Sequence, residues 1–183
     1  LYLTDMGIIL KNNTFVSMNA HIITSFHVDY DKLTNKIGTT NQGVGPTYAD
    51  KYQRIGIRLK DVWFNSDKDL LKKLEILNQH KDSYIIDENP FEQEEKDLIA
   101  YMKELIELGV SFVDDSEMKS RLNNSMYNDE DIIFEGAQAI GLDIDSDNYP
   151  FVSSSHNGFG GAMIGTGLAL HKFETKTLAV LKP

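Results

Sequence analysis

A run of glycines, threonines and polar residues from Gly38 to Arg54 has the composition of an anion-binding loop. Three glycines and Pro46 fall within nine residues, and Thr39 and Thr40 lie between them. Glycine leaves backbone N–H groups accessible to a ligand, and threonine hydroxyls add hydrogen-bond donors beside them. The same composition is typical of a tight turn that leads into a helix. The segment therefore predicts either a phosphate-binding loop or a turn, and it matches neither standard nucleotide fingerprint.

A second segment that could bind a ligand follows the apolar run Ile132-Ile133-Phe134. This run predicts a short buried strand that leads into a loop ending at Gln138. A primary amide at the end of a buried strand can donate to one atom of a purine ring and accept from another. It can equally satisfy the backbone of its own loop. The residues alone leave both interpretations of Gln138 open.

Together the two segments resemble the adenylosuccinate synthetase family. The family pattern G-T-T-x-x-G-[IV]-G-P-x-Y-x-D-K-x-x-R-x-G-[IL]-R is met from Gly38 through Arg58. The pattern F-E-G-A-Q…L-D-I-D…Y-P-[YF]-V-[ST]-S-S is met from Phe134 through Ser155, and a weaker match covers residues 17–23. Enzymes of this family are more than twice as long, so we expect an interior portion of such an enzyme.

The resemblance implies roles in binding inosine monophosphate. Thr40 falls on a threonine that binds the phosphate, with Thr39 beside it, and Ser153 falls on the family's other phosphate-binding hydroxyl. Gln138 falls on the glutamine that contacts hypoxanthine. Arg54 falls on an arginine that reaches the nucleotide phosphate of the neighbouring subunit, which implies a homodimer with shared sites.

The resemblance also implies an activity and its partners. The family uses GTP and Mg²⁺ to phosphorylate the base oxygen of inosine monophosphate, and L-aspartate then displaces that phosphate. The family's general base, general acid and GTP-binding and aspartate-binding loops match nothing in these 183 residues. We therefore expect no catalytic residue, metal ligand or cofactor ligand here, an inactive isolated chain, and a cytoplasmic parent protein.

Departures from the family pattern leave two alternatives open. Gln42 stands where a basic residue is usual, and Ala139-Ile140 replace the usual Gly-Thr after the glutamine. Changes beside the base are compatible with a bacteriophage-type relative that acts on deoxyguanylate in the diaminopurine pathway. They are also compatible with a non-catalytic relative that binds nucleotides or other proteins.

Composition excludes several other classes of function. The net charge of −10 argues against a nucleic-acid partner, which needs an extended basic surface. Residues 151–170 contain too many glycines and polar residues for a bilayer span, and a glycine-rich loop that opens into a helix is expected there. The histidines show no metal-ligand spacing, and a hydrogen-bonded structural histidine is expected at each. Asp143 and Asp145 would point in opposite directions if their segment were extended, which excludes a paired acid and base.

Hydrophobic periodicity and capping residues place the elements that must position these side chains. Val16–Ile23 predicts a strand, within two strands or a strand pair over residues 1–23. Helices are predicted over 25–36, through Tyr48 and Tyr52, after Ser66, from Pro90 to Gly109, and over 114–127. The helix after Ser66 is expected to carry an apolar face of Leu70, Leu74 and Leu77. The helix from Pro90, with Asn89 as the predicted N-cap, is expected to bury a stripe of Leu98, Tyr101, Met102 and Leu105. The fold class expected is α/β, part of a largely parallel sheet with a helical insertion. The expected segments are a core piece at 1–63, the insertion at 64–130, and a second core piece at 131–183.

Overall fold

The computed structural model describes residues 5–34, 38–64, 67–80, 90–169 and 174–178, and these form two compact units, Leu1–Asp115 and Ser116–Pro183. Their elements follow in chain order. They are β1 (Phe15–Ser17), α1 (Ser25–Thr34), α2 (Val44–Gln53), α3 (Leu59–Phe64), α4 (Asp67–His80), α5 (Pro90–Glu107), β2 (Ser111–Val113), α6 (Asp115–Tyr127), a 3₁₀ turn (Ile140–Leu142) and α7 (Phe159–Thr166).

The sheet of the first unit is a parallel pair, β1 beside β2. Val16 lies opposite Phe112, and Ser17 lies opposite Val113. The α/β class and the parallel pairing are confirmed. The strand expected over 16–23 is wrong beyond Ser17, because the chain turns when the Ala20 N–H donates to the Ser17 carbonyl. The segment bounds at 63/64 and 130/131 stay predictions.

Aliphatic side chains at helical spacing build the core of the first unit. Leu70, Leu74 and Leu77 of α4 are buried and pack in one cluster with Met102 of α5 and the fully buried Ile57. The apolar faces predicted for the two long helices are confirmed, with one exception. Tyr101 was expected on the buried stripe of α5, but its side chain is 60% exposed. It projects beside the stripe, because residues 98, 102 and 105 already complete the i, i+4, i+7 row.

Helix α3 is a feature that the sequence patterns did not predict. Asp61, in the first turn of this helix, accepts a hydrogen bond at 2.8 Å from the N–H of Arg58, the residue before the helix. The other carboxylate oxygen of Asp61 lies 2.7 Å from the Lys73 Nζ, which joins α3 to α4. Partial burial works against the charged form. The hydrogen bonds from Lys73 and the Arg58 backbone outweigh it and hold the pKa of Asp61 below its ordinary value.

The second unit corrects one prediction and confirms another. Residues 132–134 form no strand, and the Ile133 side chain is 90% exposed. A strand needs a neighbour for its backbone groups, and none of the described residues pairs with this run. The prediction that the glycine-rich stretch within residues 151–170 opens into a helix is confirmed, because α7 begins at Phe159 directly after Gly158. Across the described ranges, no helix has the length and apolar character needed to cross a bilayer.

Acidification should remove the stabilisation contributed by Asp61. Since its folded pKa lies below the unfolded value of about 3.9, the contribution is complete above that pH and is lost as the pH falls through the folded pKa. Urea unfolding from about pH 3 to about pH 6 measures this loss. Asp61→Asn should flatten the profile, and Asp147→Asn, at an exposed position, should not. Equal profiles for Asp61→Asn and the unaltered protein would contradict the assignment.

Candidate functional site

One buried carboxylate on α1 holds both ends of the glycine-rich loop. Asp31 accepts a hydrogen bond from the Thr39 hydroxyl at 3.0 Å through one oxygen. It accepts a second, from the Gly43 N–H at 3.0 Å, through the other. The Thr39 hydroxyl also accepts from the Asn41 N–H at 3.2 Å. The loop between residues 39 and 43 is therefore closed on itself and fastened to α1.

A buried histidine and aspartate join α1 to α2. The Nε2 of His27 lies 2.8 Å from the Oδ2 of Asp50, and neither residue is more than 2% exposed. The Thr24 N–H donates to the Nδ1 of His27 at 2.8 Å. Because Nδ1 accepts that hydrogen bond, the ring N–H is at Nε2, and it donates a hydrogen bond to the Asp50 carboxylate. Asp50 therefore fixes α2 against α1 through this contact.

The close approach of α1 explains why glycine stands at position 43. Gly43 precedes α2 with φ +75°, a left-handed conformation that favours glycine. A Cβ there would lie 2.9 Å from the backbone carbon and the Cβ of His27. The contact between α1 and the start of α2 therefore requires a residue without a side chain.

The two predicted threonines have different surroundings. The Thr39 hydroxyl is engaged by Asp31, whereas the exposed Thr40 hydroxyl makes no hydrogen bond to the part of the chain described here. Thr40 lies four residues before α2 begins at Val44, and the Val44 and Gly45 N–H groups at that helix start have no acceptor within the helix. A hydroxyl beside a helix N-terminus is suited to bind an anion.

Arg54 lies at the other end of α2. Its N–H donates to the Asp50 and Lys51 carbonyls, and its backbone is left-handed, with φ +66°. The side chain is exposed, and within the described ranges it forms no ion pair. A guanidinium placed this way is available to a ligand outside its own unit.

Gln138 of the second unit shares this unusual backbone. Gln138 lies at a bend of the chain, after the irregular residues 131–136. The residue is exposed, and its φ is +76°. The other non-glycine residues with positive φ in the described ranges are Asn12, Asn41 and Asp129, types that tolerate the left-handed region. Arg54 and Gln138 therefore hold the two backbone conformations that are least suited to their residue types.

A hydrogen-bonded cluster surrounds the half-buried Ser153. Its hydroxyl lies 3.0 Å from the Ser155 Oγ and 3.2 Å from the Nδ2 of Asn157. The same Nδ2 donates to the Ala139 carbonyl at 3.3 Å. Asn157 thus joins the segment that carries Gln138 to the loop that carries Ser153, and the structure brings these two predicted residues into one local arrangement.

Asp143 accepts several backbone hydrogen bonds beside the same cluster. Its Oδ1 accepts from the Asp145 N–H at 3.1 Å and its Oδ2 from the Asn157 N–H at 2.6 Å. The Asp145 N–H is the largest influence on its pKa. It acts with the N–H groups of Asn157 and Gly158 and the His156 ring to hold the pKa of Asp143 below the ordinary value, against the effect of burial. Asp143 is therefore a structural acceptor.

The extended geometry assumed for Asp143 and Asp145 is wrong. The segment turns, so both carboxylates and His156 place ligand atoms within 4.8 Å of one another. The prediction that the histidines show no metal-ligand spacing is therefore wrong for His156, whose Nδ1 lies 3.4 Å from Asp143. Asp143 is already engaged by three backbone N–H groups, which accounts for the cluster without a cation.

His21 does not have the hydrogen-bond partners that were expected of each histidine. Its Nδ1 is buried without a hydrogen bond to any described residue, and a Cβ on Gly56 would lie 2.8 Å from it. Burial lowers the pKa of His21, and the positive charges of Lys51 and Arg58 act in the same direction. The ring is a packing group that requires glycine at position 56. His80 and His171 lie where the structure describes no side chain.

Sequence reasoning missed Asp31, His27 and Asn157. Asp31 follows His27 by four residues, so both lie on one face of α1 and meet the loop and α2. Helical spacing of these two polar residues was the available signal. Asn157 carried no motif or spacing signal in the sequence.

Comparisons with known proteins agree on one family. The protein-family model for adenylosuccinate synthetase matches residues 2–183. The adenylosuccinate synthetase of Lactiplantibacillus plantarum is 37% identical over 193 residues, which cover 99% of this chain and 42% of that protein. That of Bifidobacterium animalis is 38% identical over 168 residues, covering 87% and 38%. A solved structure, the fully ligated adenylosuccinate synthetase from Plasmodium falciparum, aligns with a TM-score of 0.73 at 32% identity, covering 89% of this chain and 39% of that one.

Substitutions at Arg54 should reveal its backbone strain. Arg54→Gly should be more stable than Arg54→Ala by about 1 kcal/mol, because a Cβ in the left-handed region costs roughly 1–2 kcal/mol and part of this is offset by the chain entropy of glycine. The same pair of substitutions at Lys51, an exposed position inside α2, should show the reverse order by about 1 kcal/mol. Denaturant unfolding measures all four variants. The same order at both positions would contradict the strain.

Proposed function

The chain belongs to the adenylosuccinate synthetase family, and we propose that it supplies the nucleotide-binding surface of a cytoplasmic ligase that joins L-aspartate to inosine monophosphate in purine nucleotide biosynthesis. The observation that carries the proposal is the closed loop at 39–43, which leaves the Thr40 hydroxyl available beside the start of α2. The chain spans about two-fifths of the length of its curated relatives. The complete reaction is therefore proposed for the complete protein.

The phosphate of the nucleotide would bind at the start of α2. The Thr40 hydroxyl donates to one phosphate oxygen, and the first-turn N–H groups and the helix dipole stabilise the negative charge. In the second unit, the resemblance to the family assigns Ser153 as a further phosphate-binding hydroxyl, and Ser155 and Asn157 hold it in place. Such local donors are important because the chain as a whole carries a net charge of −10, which disfavours anions at a distance and makes a nucleic-acid partner implausible.

The base of the nucleotide would be recognised by Gln138. Its exposed amide can donate to the exocyclic carbonyl oxygen of the base and accept from a ring N–H, and the hydrogen bond from Asn157 to the Ala139 carbonyl fixes the backbone beside it. In the proposed reaction GTP supplies a phosphoryl group to the base oxygen, with Mg²⁺ neutralising charge, and aspartate then displaces that phosphate. An amide hydrogen bond to the ring that strengthens as charge develops accelerates the chemical step.

Arg54 would complete the site of a neighbouring subunit in a homodimer. Three observations support a role beyond its own unit. The guanidinium is exposed, it forms no ion pair within the described residues, and it lies at the end of a helix that is fixed at both ends. Arginine suits this role because its planar group can bind a phosphate with two parallel hydrogen bonds.

A second candidate substrate is deoxyguanylate, as in the phage-type relatives. The observation that favours it is the pair Ala139-Ile140, which lies directly after Gln138 and exposes an isoleucine side chain to 70%. The exposed apolar group changes the surface beside the proposed base site. A purely nucleotide-binding relative without turnover remains the third interpretation.

Calorimetry on the complete protein should separate the two substrates. We expect binding of inosine monophosphate and weaker binding of deoxyguanylate, because the family to which the chain belongs is proposed to act on inosine monophosphate. Tight binding of deoxyguanylate alone would replace the first proposal with the second. Nucleotide binding without product when GTP, Mg²⁺ and aspartate are added would favour the non-catalytic relative.

Mixing two variants should test the shared site. Arg54→Ala should lower nucleotide affinity about tenfold to a hundredfold, the effect of losing a charge-assisted contact worth on the order of 1.5–3 kcal/mol. Gln138→Ala should mainly lower the rate of the chemical step. If Arg54 acts across the dimer, hybrid dimers contain one site with both residues intact, and part of the activity returns on mixing. No recovery, with subunit exchange verified by mass spectrometry, would show that Arg54 acts within its own subunit.

A further inference from the structure

We propose that Asp31 is a positioning residue for phosphate recognition, acting through the loop at residues 39–43. The inference rests on the proposed function, in which this loop binds the phosphate of a nucleotide. Asp31 itself lies on α1, is only 6% exposed, and directs both carboxylate oxygens toward the loop. It therefore acts on the loop and makes no contact with the ligand.

The two hydrogen bonds of Asp31 determine which threonine is available. One oxygen holds the Thr39 hydroxyl and the other holds the Gly43 N–H, so the three residues between them are fixed at both ends. Both threonines are exposed, but the Thr39 hydroxyl is occupied by Asp31 and the Asn41 N–H, whereas the Thr40 hydroxyl makes no hydrogen bond to the described residues. The carboxylate thus divides two adjacent threonines into a structural one and a ligand-binding one.

The charge of Asp31 argues for positioning over any other role. A carboxylate close to a phosphate-binding loop repels the anion, and at an effective dielectric constant of about 20 this repulsion is substantial at short range. Such a group is useful only if its hydrogen bonds preorganise the loop by more than its charge weakens binding. Preorganisation and charge can be separated experimentally, because asparagine has the same shape without the charge.

The chemistry of the asparagine side chain predicts that Asp31→Asn keeps the loop contacts that Asp31→Ala loses. Its amide oxygen can accept from the Gly43 N–H, and its amide nitrogen can donate to the Thr39 hydroxyl, which accepts as well as donates. The Thr39 hydrogen can then turn toward the Asn41 Oδ1, which already lies 3.4 Å from the Thr39 oxygen. Both ends of the loop remain held while the negative charge is removed.

The test compares binding of inosine monophosphate and inosine to the complete protein by calorimetry. Asp31→Ala should lower affinity for the nucleotide about tenfold to a hundredfold, the range expected for disordering a charged hydrogen-bonding site. Its affinity for inosine, which has no phosphate, should change less than about twofold. Asp31→Asn should bind the nucleotide at least as well as the unaltered protein. Asp29→Ala is the matched control, because Asp29 is exposed on the same helix and pairs only loosely with Lys32 at 3.5 Å.

Each outcome decides between the roles. Equal losses for nucleotide and nucleoside would show a merely structural residue and overturn the inference, as would unchanged nucleotide binding by Asp31→Ala. If Asp31→Ala does not fold, Asp31→Ser gives the same test, because one hydroxyl reaches at most one of the two donors and leaves room for water. An unaltered protein that binds neither inosine monophosphate nor deoxyguanylate would overturn the proposed function itself, a result distinct from a failure of the variants.

Discussion

The hydrogen bond between His27 and Asp50 is the constraint on which the first unit depends. It lies almost fully out of solvent, where a polar group without a partner is costly. The Thr24 N–H satisfies the other ring nitrogen, so the network is complete only when α1 and α2 adopt one relative placement. The proposed phosphate loop lies at one end of α2 and Arg54 at the other. A single buried contact therefore fixes the direction in which two proposed binding groups are presented.

In the second unit, the proposed binding segment is held by backbone N–H donors around one carboxylate, where the first unit uses a buried histidine–aspartate pair. Neither α6 nor α7 has a fully buried residue, so apolar packing among the described residues contributes little to its local order. Asp143 instead gathers the N–H groups of Asp145, Asn157 and Gly158 onto one carboxylate. These bonds favour the ionised form, and they determine the course of the loop that carries Ser153. In both units the hydrogen bonds of one aspartate shape the segment that is proposed to bind the nucleotide.

The sequence predicted those features that depend on local order along the chain. Periodic leucines identified α4, capping by Asn89 and Pro90 identified the start of α5, and the two family patterns identified the candidate site residues. Features that depend on distant partners were not predicted. The run at 132–134 has strand composition and no strand beside it in the described residues, and Asp143 and Asp145 converge only because their segment turns. The roles of Thr39, Thr40, Arg54, Gln138 and Ser153 stay predictions, since geometry alone does not assign a ligand.

The left-handed backbones of Arg54 and Gln138 bear on why these positions carry long side chains. Glycine would adopt φ near +70° without strain, yet an arginine and a glutamine occupy the two sites. A residue held in a conformation that costs roughly 1–3 kcal/mol persists when its surroundings determine it, and such positions cluster at functional sites. At Arg54 the surroundings are the Asp50 and Lys51 carbonyls, which fix the backbone and leave the guanidinium exposed. The strain is consistent with a side chain retained for what it binds, because neither packing nor an internal ion pair within the described residues accounts for it.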